Sequence, residues 1–298
     1  MEKRQFGSTD MQVGILGFGG AEIGFQGATG KTVEELLSSA LDAGLNVIDT
    51  AECYRNSEEL IGKTVSHRRG DYYLFTKCGH ASGLEGQDWD PRMLEASIDR
   101  SLRRLKTDYV DLIHLHSCSE EILRRGEVIE VLQKARDAGK TRYIGYSGDG
   151  AAAYYAVTCG AFDSLQTSIN IADQQAVDLT LPEARKRGMG VIAKRPIANA
   201  CWRSGTKPAD AYHHVYWERL QELAYPFLRQ SLDTSIATAL RFTLSLPGVH
   251  TAIVGTANPG RWRQNAAMLE AGPLPAEELA AIRERWQAVA GPGWTGQG

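Results

Sequence analysis

Four ionisable side chains stand at, or just past, the ends of short apolar runs. Asp49 ends the run in "NVIDTAECYRNSEELIG", Lys77 closes "YYLFTK", His116 closes "YVDLIHLH", and Tyr54 follows Asp49 in the same loop, with Arg55 and Glu58 close by. Each has a plain reading on its own: a turn-forming acid, a solvated loop charge, a hydrogen-bonded core histidine. Together they suggest a proton donor. A free phenol has a pKa near ~10 and is a poor acid at neutral pH. A neighbouring ammonium favours the phenolate and draws that value down. Asp49 would keep Lys77 charged and oriented, and His116 would donate a hydrogen bond to a substrate oxygen. Such a unit suits a carbonyl oxygen becoming an alkoxide. Reduction of that carbon also needs a hydride, which implies a nicotinamide cofactor.

Elements must bring these residues to one place. A cadence of helix, glycine, short apolar strand and polar loop recurs, with glycines at Gly44, Gly139, Gly160, Gly188 and Gly248. Glycine after a last helical turn is a favoured left-handed stop, and the apolar runs after it read as strands buried on both faces. "GILGFG", "YYLFTK" and "YVDLIHLH" complete a set of eight. Eight strand–helix units in a chain of 298 residues predict a closed (β/α)8 TIM barrel, one domain over residues 1–298, rather than an open doubly wound sheet. "TVEEL" suggests a capping box from Thr32 to Glu35. "DPRMLEASIDRSLRRL" has Asp90 as N-cap, Pro91 at the first helical position, and Leu94, Ile98, Leu102 and Leu105 at helical spacing. Residues 1–13 read as an N-terminal β-hairpin turning at "GSTD" and covering the barrel bottom. Pro196 to Asp233 reads as a long insertion after the seventh barrel strand, with a helix in "AYHHVYWERLQELAYPFL". Active sites of such barrels lie at the carboxyl ends of the strands, where Asp49, Lys77, His116, Ser147, Gln166, Lys194, Arg195, Gly255 and Thr256 fall.

Asp49, Tyr54, Lys77 and His116, in "DTAECYRNSE", "FTK" and "YVDLIHLHS", resemble the tetrad of the aldo-keto reductases. The resemblance extends from "FGSTDMQVGILGFGG" through "GKTRYIGYS" to "AIVGTANPGRWRQN". It implies that Tyr54 is the general acid, Lys77 lowers its pKa, Asp49 pairs with Lys77, and His116 orients the carbonyl. The cofactor would lie across the barrel mouth. Ser147 and Gln166 would hold the nicotinamide amide, Thr256, Arg261, Gln264 and Asn265 would take the 2′-phosphate and adenine, and Gly20 and Gly255 would line the path. Arg261 suits a phosphate, so NADP(H) is favoured over NAD(H), although Gly255 stands where many members carry a lysine. A dinucleotide fold is not supported: Glu22 occupies the third glycine position of a G-x-G-x-x-G in "GFGGAE". Two departures stand out. Gly148 and Asp149 follow Ser147 where many members have asparagine. Lys194 replaces the stacking aromatic, with Arg195 next to it and placed to meet cofactor phosphates.

A net charge of −3 with no basic half gives no nucleic-acid footprint. No apolar run is long enough to span a bilayer, and the amino terminus has no secretory h-region. Five scattered cysteines read as reduced thiols in a cytoplasmic protein, with Cys53 and Cys78 as bystanders. Two other functions fit some of the residues. One is a cofactor-binding regulatory barrel without catalysis. The other is a metal-dependent hydrolase using His114, His116 and Cys118, with His80 as a further ligand. The tetrad accounts for His116 without a metal, so none is expected. The expected partner is a small carbonyl or alcohol substrate of unreadable identity, with Trp89 and Trp202 as pocket candidates and Trp294 in the tail; the oligomeric state is equally unreadable.

Overall fold

The computed structural model describes residues 1–297. A hairpin of β1 (Lys3–Gln5) and β2 (Gln12–Gly14) pairs antiparallel ahead of the barrel. The barrel strands are β3 (Leu16–Gly19), β4 (Val47–Asp49), β5 (Tyr73–Cys78), β6 (Val110–His116), β7 (Thr141–Ser147), β8 (Ser164–Ser168), β9 (Gly190–Lys194) and β10 (Thr251–Gly255). They are parallel and close in chain order, β10 pairing with β3. The expected eightfold barrel is therefore observed. All five glycines of the repeated cadence take positive φ, between +65° and +99°, which stops each helix and turns the chain into the next strand.

Period-two alternation sorts the strand residues into layers. Val47, Phe75, Leu112 and Ile192 point into the barrel and form one apolar cluster with Phe6, Met11 and Val13 of the hairpin segment. The hairpin thus plugs the amino-terminal end. Each fully buried apolar side chain of this kind contributes about 1.5–3 kcal/mol. Two residues further along the same strands, the inward positions become Asp49, Lys77 and His114. The opposite faces pack on the surrounding helices. Helix Pro91–Leu105 shows why: Leu94, Ile98 and Leu105 are buried, and Asp90 Oδ1 accepts from the backbone N–H of Arg92 and Met93 at 3.0 and 3.1 Å.

Helix Gly30–Asp42 begins earlier than the capping box suggests. Thr29, not Thr32, is the N-cap, accepting from Thr32 N–H at 3.2 Å. The insertion carries helix His214–Leu223 between short turns of 3-10 helix at Ala211–His213 and Pro226–Arg229. The chain after helix Ala276–Val289 runs back over the barrel mouth.

Candidate active site

Asp49 and Lys77 end adjacent strands and meet there. Lys77 Nζ donates to Asp49 Oδ2 at 2.6 Å and to the Thr50 carbonyl at 2.8 Å, and both side chains are 1% exposed. Asp49 Oδ1 accepts from Gln166 Nε2 at 2.8 Å, and Ser147 Oγ donates to Gln166 Oε1 at 3.0 Å. One hydrogen-bonded chain therefore joins Ser147, Gln166, Asp49 and Lys77 across β7, β8, β4 and β5. Burial opposes the charge on Lys77, but Asp49 and Tyr54 outweigh it and leave the ammonium above its ordinary value.

Tyr54 folds back over this pair. Its loop is tight: Tyr54 N–H donates to the Ala51 carbonyl at 3.1 Å, Ser57 N–H to the Tyr54 carbonyl at 3.0 Å, and Arg55 has a φ of +49°. Short helix Ala21–Phe25 presses on it so closely that a Cβ on Gly24 would lie 2.1 Å from the Tyr54 carbonyl oxygen. The Tyr54 ring lies 4.9 Å from Lys77 Nζ and 6.0 Å, edge to face, from His116. Burial pushes the phenol up to about 12, with Lys77 pulling it down and Asp49 pushing it up. The ammonium thus acts in the expected direction, yet the phenol ends above its ordinary value rather than below. Burial, followed by the Lys77 charge, holds the His116 imidazole well below its ordinary value, so the ring is neutral and able to donate one hydrogen bond.

The two departures across the barrel answer each other. Lys194 Nζ lies 3.0 Å from Asp149 Oδ2. Asp149 Oδ1 also accepts from Thr167 Oγ1 and Ser168 N–H, both at 2.7 Å. Burial alone would raise the Asp149 carboxyl; Lys194 and these donors reverse that and hold it below its ordinary value. Arg195 has a φ of +55°, and its Nε donates to Tyr212 Oη at 2.8 Å and its Nη1 to Ser168 Oγ at 2.9 Å. Nη1 also bonds the Gln297 carbonyl of the tail. Arg219 Nη2 takes the Thr295 carbonyl at 2.8 Å. Gly296 lies so close that a Cβ there would be 2.3 Å from Asp149 Cβ. The tail is therefore seated on the β7–β9 side of the mouth.

Gly20 sits on the rim, its N–H donating to the Asp49 carbonyl at 2.7 Å and its carbonyl accepting from Ser57 Oγ at 2.7 Å. Gly255 faces Glu22, whose carboxyl fills the space any side chain at Gly255 would need; burial raises that carboxyl. Thr256 Oγ1 accepts from Asn258 N–H at 3.0 Å. Arg261 opens helix Arg261–Met268, which also carries exposed Gln264 and buried Asn265. The Arg261 backbone N–H donates to the Asn258 carbonyl at 3.1 Å, but its guanidinium makes no hydrogen bond or ion pair with another described residue, and Arg195 Nη2 has no described partner. Two guanidinium donors thus remain for an anionic ligand, which suits the phosphates of a dinucleotide.

The pocket candidates separate. Trp89 borders the site, its Nε1 donating to the His116 carbonyl at 2.8 Å. Trp202 is core: it is 8% exposed and donates to Ser235 Oγ at 2.9 Å. Its indole packs within the core of the insertion, against helix Leu232–Ser245, rather than at the mouth. Trp294 packs edge to face on Trp286 at 5.3 Å. A cleft of about 400 Å³ borders the tail at Gly291, Pro292 and Trp294, and one of about 350 Å³ lies between the outer helices at Arg124, Tyr155 and Leu179; neither is lined by Asp49 or Tyr54. The His114–His116–Cys118 grouping does not form. His114 is buried inside the barrel against Ser164 Oγ at 3.2 Å, and Cys118 packs in the outer core. The nearby group that does form contains Cys53, His80 and His116. Neither the pairing of Lys194 with Asp149 nor that of Glu22 with Gly255 is legible in the sequence, because each contact joins segments far apart in the chain.

Comparison with known proteins bears on the family and the fold. Residues 15–287 match the model of the aldo/keto reductase family. An uncharacterized oxidoreductase, YqkF, of Bacillus subtilis is 28% identical, covering 95% of this chain and 96% of that protein. The L-galactose dehydrogenase of Arabidopsis thaliana is 27% identical, covering 99% and 97%. Among solved structures, the holo form of aldo-keto reductase AKR11C1 from Bacillus halodurans superposes with a TM-score of 0.85 at 27% identity, covering 98% of this chain and 99% of that one. The match spans all eight barrel strands, and the chain belongs to the aldo/keto reductase family of oxidoreductases.

Proposed function

We propose that the protein reversibly reduces aldehyde or ketone carbonyls to alcohols, with Tyr54 as general acid and NADP(H) as the preferred cofactor. The observation that carries this reading is the buried Asp49–Lys77 pair at 2.6 Å directly beneath the Tyr54 ring. A buried pair of this kind is weak evidence for stability, since desolvation offsets much of its attraction. Its value lies in what it does to the phenol.

A phenol raised to about 12 is fully protonated at neutral pH and ready to donate. As its proton moves to the carbonyl oxygen, negative charge develops on Tyr54 next to the Lys77 ammonium, which stabilises it in a dry environment. Asp49 and Gln166 keep Lys77 from swinging away. Neutral His116 orients the carbonyl by one hydrogen bond. A reduced nicotinamide, when bound, supplies the hydride to the carbonyl carbon. Ser147 and Gln166 would hold its amide, and Arg261, Thr256, Gln264 and Asn265 its adenine end. In the alcohol-oxidising direction the Tyr54 phenolate accepts the proton back.

The test is turnover of a panel of aldehydes, ketones and aldose sugars by the wild-type protein and by Tyr54→Phe. The sugars are included because of the likeness to an L-galactose dehydrogenase. Loss of the general acid should lower kcat about 10²–10⁴-fold while cofactor affinity stays the same. A Tyr54→Phe variant with full activity would overturn the mechanism. Equal efficiency with NADH and NADPH would overturn the cofactor preference.

A further inference from the structure

Cys53, His80 and His116 converge beside Tyr54, their ligand atoms all within 4.8 Å of one another and all three residues partly exposed at the mouth. Cys53 Sγ lies 3.6 Å from His116 Nδ1. Tetrahedral zinc, with bonds of about 2.3 Å to sulfur and about 2.0–2.1 Å to nitrogen, requires an S···N edge of about 3.6 Å. The pair is already at that spacing. His80 Nδ1 is bound to Asp88 Oδ2 at 2.8 Å, which leaves Nε2 for a metal. A carboxylate on the far nitrogen fixes the tautomer and ring orientation in the way metal-bound histidines are commonly held. The His80 loop is anchored as well: its backbone N–H donates to Glu52 Oε1 at 2.9 Å, and Trp89 packs edge to face on the ring at 5.3 Å.

We propose that Cys53, His80 and His116 form a three-ligand zinc site whose occupation shuts down carbonyl reduction. One thiolate and two imidazoles select zinc over magnesium or calcium. Three protein ligands leave the fourth position open to water. On binding, the Cys53 S–H bond breaks, its proton goes to solvent, and a sulfur–zinc bond forms. The imidazoles donate lone pairs and nothing is oxidised or reduced. Ligated His116 can no longer turn to orient a carbonyl, and a dication comes to rest next to the Tyr54 phenol. This differs from a hydrolytic metal centre, because the metal blocks the chemistry rather than performing it. The other cysteines cannot substitute: Cys78, Cys118 and Cys201 are buried, and Cys159 lies on the outer helix layer.

The binding claim stands on geometry, while the inhibition rests on the reductase reading, and one experiment separates them. Metal-free protein is titrated with cobalt(II) and followed by absorption, then with zinc in the carbonyl-reduction assay. Cobalt should bind at one equivalent with a thiolate-to-metal charge-transfer band, and zinc should abolish that band. Cys53→Ser should lose the band, and both Cys53→Ser and His80→Gln should bind at least tenfold more weakly. Zinc should cut turnover at least tenfold in the wild type, reversibly on chelation, and should change each variant's rate far less relative to its own metal-free value. Absence of the band, or equal cobalt affinity in Cys53→Ser, would overturn the site. The band in a protein without reductase activity would sustain the site and sink the reductase reading instead.

Discussion

Asp173 is a buried carboxyl with only one oxygen provided for. Tyr216 donates to Oδ2 at 2.9 Å, Arg219 approaches only to 4.0 Å, and Oδ1 has no described partner. Burial, reinforced by the Asp149 charge, pushes its pKa from 3.8 up to about 7. The folded protein therefore holds this proton more tightly than the unfolded chain does. The resulting stability is fully present below pH 3.8 and is lost as pH rises through about 7. Asp173→Asn should remove that loss. Relative to the wild type, its unfolding free energy in urea should be higher at about pH 8 than at about pH 4. An identical wild-type-to-variant difference at both values would refute the assignment. Lys194 and Asp149 show the same physics with the opposite outcome. Each is an awkward residue alone, but at 3.0 Å they satisfy one another. Removing only one should be worse than removing both, since a single change leaves a buried charge uncompensated.

Helix His214–Leu223 ends on Ala224, an exposed residue with a φ of +46° whose N–H closes the last turn on Leu220. Alanine bears a steric cost in that left-handed conformation that glycine does not. Ala224→Gly should raise the unfolding free energy by about 0.5–1 kcal/mol, read as a shift in urea midpoint at constant slope; a lowered midpoint would count against it. A run of Ala198, Asn199 and Ala200, all at positive φ, follows β9 and holds Arg195 over the mouth. Nothing in these residue types announces it. The legible parts were those governed by local rules: glycine stops, the Asp90 cap and period-two alternation, which together fixed eight strands and the residues at their ends. The meeting of Asp49 and Lys77 is legible because strand ends in a barrel share one mouth. What stayed hidden was set by contacts between loops. Trp202 looked like a pocket residue because sequence cannot show that Ser235 lies opposite its indole nitrogen. Lys77 draws the phenol down, as the charge of one neighbour implies, and the burial that outweighs it is not legible in the sequence.

The whole molecule is finished differently at its two ends. At the mouth, Arg195 and Arg219 hold the tail by the carbonyls of Gln297 and Thr295. Arg195 is also a proposed partner of the cofactor phosphates, so tail and cofactor draw on the same guanidinium, the tail through Nη1. Removing residues 294–298 should tighten dinucleotide binding about three- to tenfold, or about 0.7–1.4 kcal/mol, measured by calorimetry. Unchanged or weaker binding, with melting temperature intact, would show that the tail supports the site instead. At the opposite end, Phe6, Met11 and Val13 close the barrel. With its base stoppered by these side chains, the barrel offers the Asp49–Lys77 pair to ligands from the mouth side.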